Sequence, residues 1–234
     1  MKKTLALILS LVLALGTIMS ATVVMAEDES DLAYVQDKGT FVVGVTEFEP
    51  VDFLVDGEWT GFDYDLAALF AKELGVELVI QEINWNTKEI ELEAKTLDAI
   101  WNGLTWTEER AEQMSLSDPY LRNIQCLVVA GDREDEFEDL DSLKGFQVAA
   151  EAGSAGEAYV LENFKDSTYI ERGTQLDCLT ELLAGTCDAA VIDAVLANYI
   201  INKEDSDFAS LKALNDILEA DDEVYAVAFR KDSD

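Results

Sequence analysis

Two rounds of alternating strand and helix patterns run along this chain and constrain its fold more than any other feature. Short apolar or β-branched runs alternate with segments of helical apolar spacing, first over residues 41–101 and again over residues 146–192. Each round has the order βαβαβ, which builds a mostly parallel sheet flanked by helices. An acidic run over residues 132–141, interpreted as a solvated loop, separates the two rounds. We therefore expect an α/β protein of two similar halves, each with its own sheet.

The first 26 residues are not expected to join this core. Lys2 and Lys3 precede a largely apolar run over residues 5–18, and a cleavage site is predicted after Ala26. Residues 1–26 are thus interpreted as a secretory signal peptide. An uncleaved membrane anchor is the alternative, although the apolar run is short for a membrane span. The mature protein is then exported, either to a periplasm or to the outer face of the cytoplasmic membrane.

The charge balance and the missing histidine narrow the possible functions. A formal net charge of −33 repels nucleic acid and anionic membranes, so neither is an expected partner. The sequence contains no histidine. This excludes Ser-His-Asp and Cys-His catalytic sites, a histidine general base and the zinc sites that use histidine. We expect no metal and no cofactor.

Cys126, Cys178 and Cys187 give an odd number of thiols for an exported chain, so one disulfide and one free thiol is an open alternative. Cys178 and Cys187 lie at opposite ends of one predicted helix, about 13 Å apart at 1.5 Å per residue. That distance is too long for a disulfide. We therefore expect buried, reduced cysteines.

Arg110 marks a candidate binding site in the segment from Asp98 to Tyr120. The segment begins as a short buried strand, turns at Asn102-Gly103 and enters a short helix at Thr107. Arg110 thus lies just past the carboxyl end of a strand, where open α/β sheets bind ligands, and a guanidinium there grips a carboxylate through two parallel hydrogen bonds. The alternative is a surface arginine paired with a neighbouring glutamate, at Glu108, Glu109 or Glu112.

The same segment, DAIWNGLTWTEERAEQMSLSDPY, resembles the corresponding segment of the family 3 solute-binding proteins, which are receptors for amino-acid ABC transporters. The segment GFDYDLAALFAKELGV is similar to another part of that family. The resemblance implies the type II periplasmic-binding-protein fold, with two α/β lobes joined by two hinge strands at 123–130 and 223–230. It assigns residues 27–124 and 225–234 to lobe 1 and residues 125–224 to lobe 2. Family members continue with further helices, so we expect either that this sequence is truncated or that its first lobe is unusually small.

The resemblance also assigns roles to individual residues. Arg110 holds the α-carboxylate of the ligand with help from Thr105, and Asp193, at the end of a strand in the second half, takes the α-ammonium. Helix capping is the alternative role for Asp193.

The walls of the site come from the same resemblance. Phe48 and Trp85 match the aromatic pair that encloses the ligand side chain, with ordinary core packing as their alternative. Ser154 caps a helix whose preceding turn helps to hold the carboxylate. Ala155 stands where the family usually has a hydroxyl. The predicted ligand-binding residues are Phe48, Trp85, Asn102, Gly103, Thr105, Arg110, Ser154, Ala155 and Asp193.

The expected function is that of a monomeric, non-enzymatic receptor that closes on an amino acid and delivers it to an ABC transporter permease. A first alternative is an enzyme similar to the cyclohexadienyl dehydratases, which share this scaffold. Without histidine its general acid would be Glu49 or another cleft carboxylate with a raised pKa. A second alternative is a module that senses an amino acid for a membrane partner.

Overall fold

The computed structural model describes residues 30–218 and 223–233, and the predicted signal segment 1–26 lies outside them. The helices are α1 (Asp31–Lys38), α2 (Phe62–Leu74), α3 (Lys88–Glu93), α4 (Glu108–Gln113), α5 (Ala155–Asn163), α6 (Gln175–Ala184) and α7 (Ala194–Asn202). The strands are β1 (Thr40–Val45), β2 (Phe53–Val55), β3 (Glu58–Thr60), β4 (Glu77–Glu82), β5 (Ala99–Ile100), β6 (Ser115–Leu116), β7 (Leu121–Asn123), β8 (Gln125–Ala130), β9 (Gln147–Glu151), β10 (Thr168–Arg172), β11 (Ala189–Asp193), β12 (Leu211–Leu214), β13 (Glu223–Tyr225) and β14 (Ala228–Phe229). Short 3-10 turns cover Trp85–Thr87, Gly131–Glu136 and Leu140–Leu143.

The first sheet has the strand order β4-β1-β5-β14-β6. Strands β4, β1 and β5 run parallel, and β14 pairs antiparallel with β5 and β6. On β1 the alternate residues Phe41, Val43 and Val45 share a buried cluster with Ala67 and Ala71 of α2. Each large apolar side chain buried in this way contributes about 1.5–3 kcal/mol to folding. We call this sheet with α1–α4 the first lobe.

The second sheet repeats the plan with the order β10-β9-β11-β8-β12. Strands β10, β9 and β11 run parallel, β8 is antiparallel to β11, and β12 is antiparallel to β8. Every residue of β11 is buried, as expected for a central strand with helices on both faces. This sheet and α5–α7 form the second lobe. The prediction of two βαβαβ halves with separate sheets is confirmed.

Strands β7 and β13 pair with each other, Asn123 opposite Glu223, and carry the chain between the lobes. The two predicted hinge strands are therefore not continuous, which corrects the sequence prediction. The first breaks at Ile124, whose carbonyl accepts from Ala194 N, and the second breaks where Ala226 N donates to Leu104 O. At both breaks the chain passes from the β7–β13 pair into one of the two large sheets, β8 into the second and β14 into the first. The lobe boundaries 27–124 with 225–234 and 125–224 stay a prediction.

Several local features differ from the sequence reading. Helix α1 and the β2–β3 hairpin were not predicted, because α1 buries only Val35 and the hairpin strands contain no buried residue. The acidic run is not a plain loop, since it contains 3-10 turns and the buried Phe137.

Asp63 has the position and the residue type of a helix cap, but it does not cap the start of α2. The cap position is Gly61, and the buried Asp63 carboxylate instead accepts hydrogen bonds from Gly103 N at 2.8 Å and the Tyr120 hydroxyl at 2.6 Å. Burial raises its pKa to about 6, against the hydrogen bonds that lower it. The carboxylate therefore ties α2 to the turn after β5.

The three cysteines are free and buried, as predicted. They share one apolar cluster in the second lobe, and burial raises the pKa of each thiol. Among the helices of the described residues, none has the length and apolar character that a membrane span requires.

Candidate ligand-binding cleft

A narrow cleft with a cavity volume of about 10 Å³ lies between the lobes. Its lining follows the carboxyl ends of strands in both sheets, the edge at which α/β sheets bind ligands. The lining residues are Thr46, Phe48, Trp85, Asn102, Gly103, Thr105 and Arg110 from the first lobe and Glu151, Ser154, Ala155, Gln175 and Asp193 from the second. Every residue predicted to bind ligand therefore lies in one cleft, and contact of each with a ligand stays a prediction.

Arg110 is held by the short helix α4, whose first turn is capped by Thr107 Oγ1 accepting from Arg110 N at 3.1 Å. Its guanidinium donates through Nη1 to Thr105 O at 2.6 Å and through Nη2 to Gly153 O in the other lobe at 3.1 Å. Burial lowers the pKa of Arg110, while Glu89, Glu223 and Asp193 oppose that shift. An arginine stays charged under such a shift. The side chain thus places a cation in the cleft instead of in a surface ion pair.

Asp193 ends β11, directly before α7, but its carboxylate makes no capping bond to that helix. It accepts instead from three side-chain amides: Gln125 Nε2, at 2.9 Å, Asn123 Nδ2 and Gln175 Nε2. Burial, and then the nearby Glu223, raises the pKa of Asp193 to about 6. The capping alternative is therefore wrong, and an anion from the second lobe faces the same cleft as the Arg110 cation.

The aromatic walls are Phe48 and Trp85, each 4% exposed. The Phe48 ring packs edge-on against Tyr225, with ring centroids 6.4 Å apart. Lys88 Nζ lies 4.8 Å from the centre of the Trp85 ring, a cation–π distance. Both rings therefore have fixed neighbours as well as a cleft-facing side.

Three predicted site residues of the first lobe use polar groups in hydrogen bonds within the protein. The Asn102 amide bonds to Thr46 and to Asp52 Oδ2, the latter at 2.8 Å. Gly103 N donates to Asp63, and Thr105 Oγ1 donates to Glu223 Oε2 at 3.1 Å. We conclude that these residues shape the cleft and position Arg110 through Thr105 O.

The turn after β9 forms the facing wall. Ser154 caps α5, its Oγ accepting from Glu157 N at 3.0 Å, so the predicted N-cap is confirmed. Ala155 lines the cleft with a methyl group. Gly153 O accepts from both Lys88 Nζ at 3.0 Å and Arg110 Nη2 at 3.1 Å. Two first-lobe cations thus meet one second-lobe carbonyl, which holds the lobes together over the cleft.

Glu49 does not line the cleft, although the sequence suggested it as a general acid. Its carboxylate pairs with Lys203 Nζ at 2.8 Å, in an interlobe ion pair on the surface. Within residues 30–218 and 223–233 there is also no group of three or more acidic or cysteine side chains that fits a metal ion.

With the cleft described, comparison with known proteins identifies the family. The model of the bacterial extracellular solute-binding proteins, family 3, matches residues 41–228. The chain belongs to this family. The two-lobe type II fold predicted from the sequence is thereby confirmed.

Relatives of this family 3 protein include both binding proteins and an enzyme. The L-cystine-binding protein TcyJ of Escherichia coli is 30% identical over 85% of this chain and 75% of its own length. The arginine-bound form of truncated ArgBP from T. maritima is 31% identical, covers 85% of this chain and 91% of its own, and has a TM-score of 0.78. Cyclohexadienyl dehydratase of Pseudomonas aeruginosa is 24% identical over 76% of this chain and 68% of its own length.

Three residues that line the cleft of this family 3 protein were not predicted from its sequence: Thr46, Glu151 and Gln175. Glu151 is the last residue of β9, and Gln175 opens the helix that follows β10. The rule that pointed to Arg110 and Asp193, a polar side chain at the carboxyl end of a strand, applies to Glu151 as well. Gln175 had no such signal, because its contact with Asp193 joins elements that are separate in sequence.

Proposed function

We propose that this protein captures an amino acid between its lobes by hinge closure and delivers it to an ABC transporter permease. In this proposal it acts as an exported monomer, in a periplasm or at the outer face of the cytoplasmic membrane, and carries out no chemistry. The observation that supports it is the pairing of Arg110 from one lobe with Asp193 from the other along one cleft. An α-amino acid carries the two complementary charges.

The proposed contacts suffice for transport affinity. Arg110 would grip the α-carboxylate, Asp193 would accept from the α-ammonium, and Phe48 and Trp85 would enclose the side chain. Charge-assisted hydrogen bonds contribute about 1.5–3 kcal/mol each, and micromolar binding needs roughly 8 kcal/mol. Because the ligand touches both lobes, its binding favours the closed state.

The test is a thermal-shift screen of the common amino acids followed by calorimetry, since a ligand that binds the folded state raises the melting temperature. Arg110→Met removes both hydrogen bonds to the carboxylate, so we expect affinity to fall at least 100-fold, about 3 kcal/mol or more. Arg133→Met is the matched control, because Arg133 pairs with Glu136 and Asp188 on the surface. Absence of any amino-acid ligand, or equal affinities of the two variants, would refute the proposal.

A second candidate is dehydration of a cyclohexadienyl substrate, which is supported by the dehydratase relative and by Glu151. Burial, and then the nearby Asp193, raises the pKa of Glu151 to about 8, so this cleft carboxyl is protonated at neutral pH and suits a general acid. Incubation with prephenate or arogenate, followed by absorbance, tests this candidate. An unchanged spectrum at high protein concentration would eliminate it.

A further inference from the structure

Glu151 is an acidic side chain of the cleft that recognition of an α-amino acid does not use. It ends β9, is 2% exposed and lines the same cavity as Arg110 and Asp193. Its Oε1 atom has no hydrogen-bond partner among the described residues. A buried oxygen left in this way costs about 1–3 kcal/mol. A molecule in the cleft is placed to bond to this oxygen.

The charge count of the cleft points to the chemistry of that molecule. Its ionisable lining residues are one cation, Arg110, and two acids, Glu151 and Asp193. The carboxylate and ammonium of an α-amino acid match Arg110 and Asp193. With a neutral amino acid Glu151 stays protonated and its Oε1 atom stays without a partner, whereas one further positive charge on the ligand lets Glu151 ionise and pairs with it.

No protein cation takes that role among the described residues. The charge of Lys88 lowers the pKa of Glu151 without a direct contact. Lys88 Nζ instead donates to Trp85 O and Gly153 O and forms its ion pair with Glu89 at 3.0 Å. From the second lobe, Asp193 and Asp177 add negative charge near Glu151, and the Gln175 amide is its neutral neighbour.

We propose that Glu151 determines specificity by accepting a hydrogen bond from a cationic nitrogen beyond the α-carbon of the ligand. The protein then takes cationic amino acids. The nitrogen belongs to a guanidinium or ammonium side chain. This inference rests on the proposed amino-acid binding and adds the side-chain class.

Matched ligand pairs test the proposal by calorimetry. L-Arginine is compared with L-citrulline, which replaces the guanidinium with a neutral urea of nearly the same shape, and L-lysine with L-norleucine. For the wild type we expect at least tenfold tighter binding of a cationic ligand than of its neutral partner.

Glu151→Gln keeps the shape of the side chain and removes its charge. We expect it to reduce the affinity for the cationic ligand at least tenfold and to change citrulline binding less than threefold. Glu171→Gln is the control, because Glu171 is an exposed acid of the neighbouring strand β10. A purely structural Glu151 would lower the melting temperature of the unliganded variant without changing the arginine-to-citrulline ratio.

Proton release provides a second readout. With a pKa of about 8 in the empty cleft, Glu151 is mostly protonated at pH 7, and a bound cation ionises it. Calorimetry at pH 7 in two buffers of different ionisation enthalpy should therefore detect nearly one proton released by the wild type and almost none by Glu151→Gln. Wild type that binds only neutral amino acids, with affinity unchanged in Glu151→Gln, overturns this inference and leaves the proposed function intact. Wild type that binds no amino acid overturns both.

Discussion

Gly103→Ala should damage both the stability of the fold and the ligand cleft. Gly103 has a φ of +60°, a left-handed conformation that costs a residue with a side chain about 1 kcal/mol or more. An added methyl group lies 2.6 Å from Phe48 Cε1 and 3.2 Å from Tyr225 Cε2. Ordinary carbon contacts are about 3.5–4.0 Å, so the Phe48 ring must move by about 1 Å. Tyr225 blocks one direction, and the cleft is the remaining space.

The magnitude follows from the two costs. Backbone strain of about 1 kcal/mol and overpacking of about 1–3 kcal/mol give a loss of roughly 2–4 kcal/mol. For a chain of this size each kcal/mol shifts the melting temperature by about 2–4 °C. Because Phe48 would move into the cleft, amino-acid affinity should fall at least tenfold, about 1.4 kcal/mol.

Gly185→Ala is the matched control for this prediction. Gly185 ends α6 with a φ of +69°, and an added methyl group there has no neighbour within 4 Å. It carries the backbone cost alone, so a loss of about 1 kcal/mol and unchanged affinity are expected. Urea denaturation and calorimetry on both variants provide the measurements. Equal losses of stability, together with unchanged affinity in Gly103→Ala, would refute the steric argument.

Two further predictions concern buried charge in the first lobe. Arg230→Met should lower the free energy of unfolding by about 1.5–3 kcal/mol in urea denaturation, because it removes charge-assisted hydrogen bonds. Arg230 holds the Asp31 carboxylate at 2.9 Å and reaches Asp98 at 3.4 Å, while Lys38 keeps its own ion pair with Asp98. An unchanged midpoint and slope would contradict this. Burial, and then the nearby Asp63, raises the pKa of Asp52 from 3.8 to about 8. Between these two pH values the folded state holds a proton on Asp52 that the unfolded state has lost. The free energy of unfolding should therefore fall as the pH rises from 4 to 8. Asp52→Asn should flatten this dependence in denaturation at pH 5 and pH 8, and equal slopes in variant and wild type would disprove the assignment.

The architecture could be predicted from the sequence because its signals are local. Strand β1 shows its burial through β-branched residues, and α6 shows its end through Gly185. Arg110 and Asp193 could be predicted as site residues for the same reason, since each lies at or just past the end of a buried strand. Helix α1 could not be predicted in this way, because it is held to the rest of the lobe by the ion pair of Asp31 with Arg230, a partner 199 residues away.

The hydrogen-bond partners of these residues could not be predicted from the local sequence. Asp63 has the sequence of a helix cap, yet the fold brings Gly103 N and Tyr120 to its carboxylate. Asn102 stays a predicted ligand contact, and its side-chain amide bonds to Thr46 and Asp52. In both cases a residue distant in sequence competes successfully for a polar group.

The position of β14 in the first sheet has a consequence for the order of folding. This strand, almost the last of the described chain, lies between β5 and β6 and pairs with both. Most of the second lobe is continuous in sequence, whereas the first sheet needs residues more than a hundred positions apart to meet, and such distant pairings form slowly. As the chain emerges vectorially, β5 and β6 therefore remain without their common neighbour until Ala228 and Phe229 arrive.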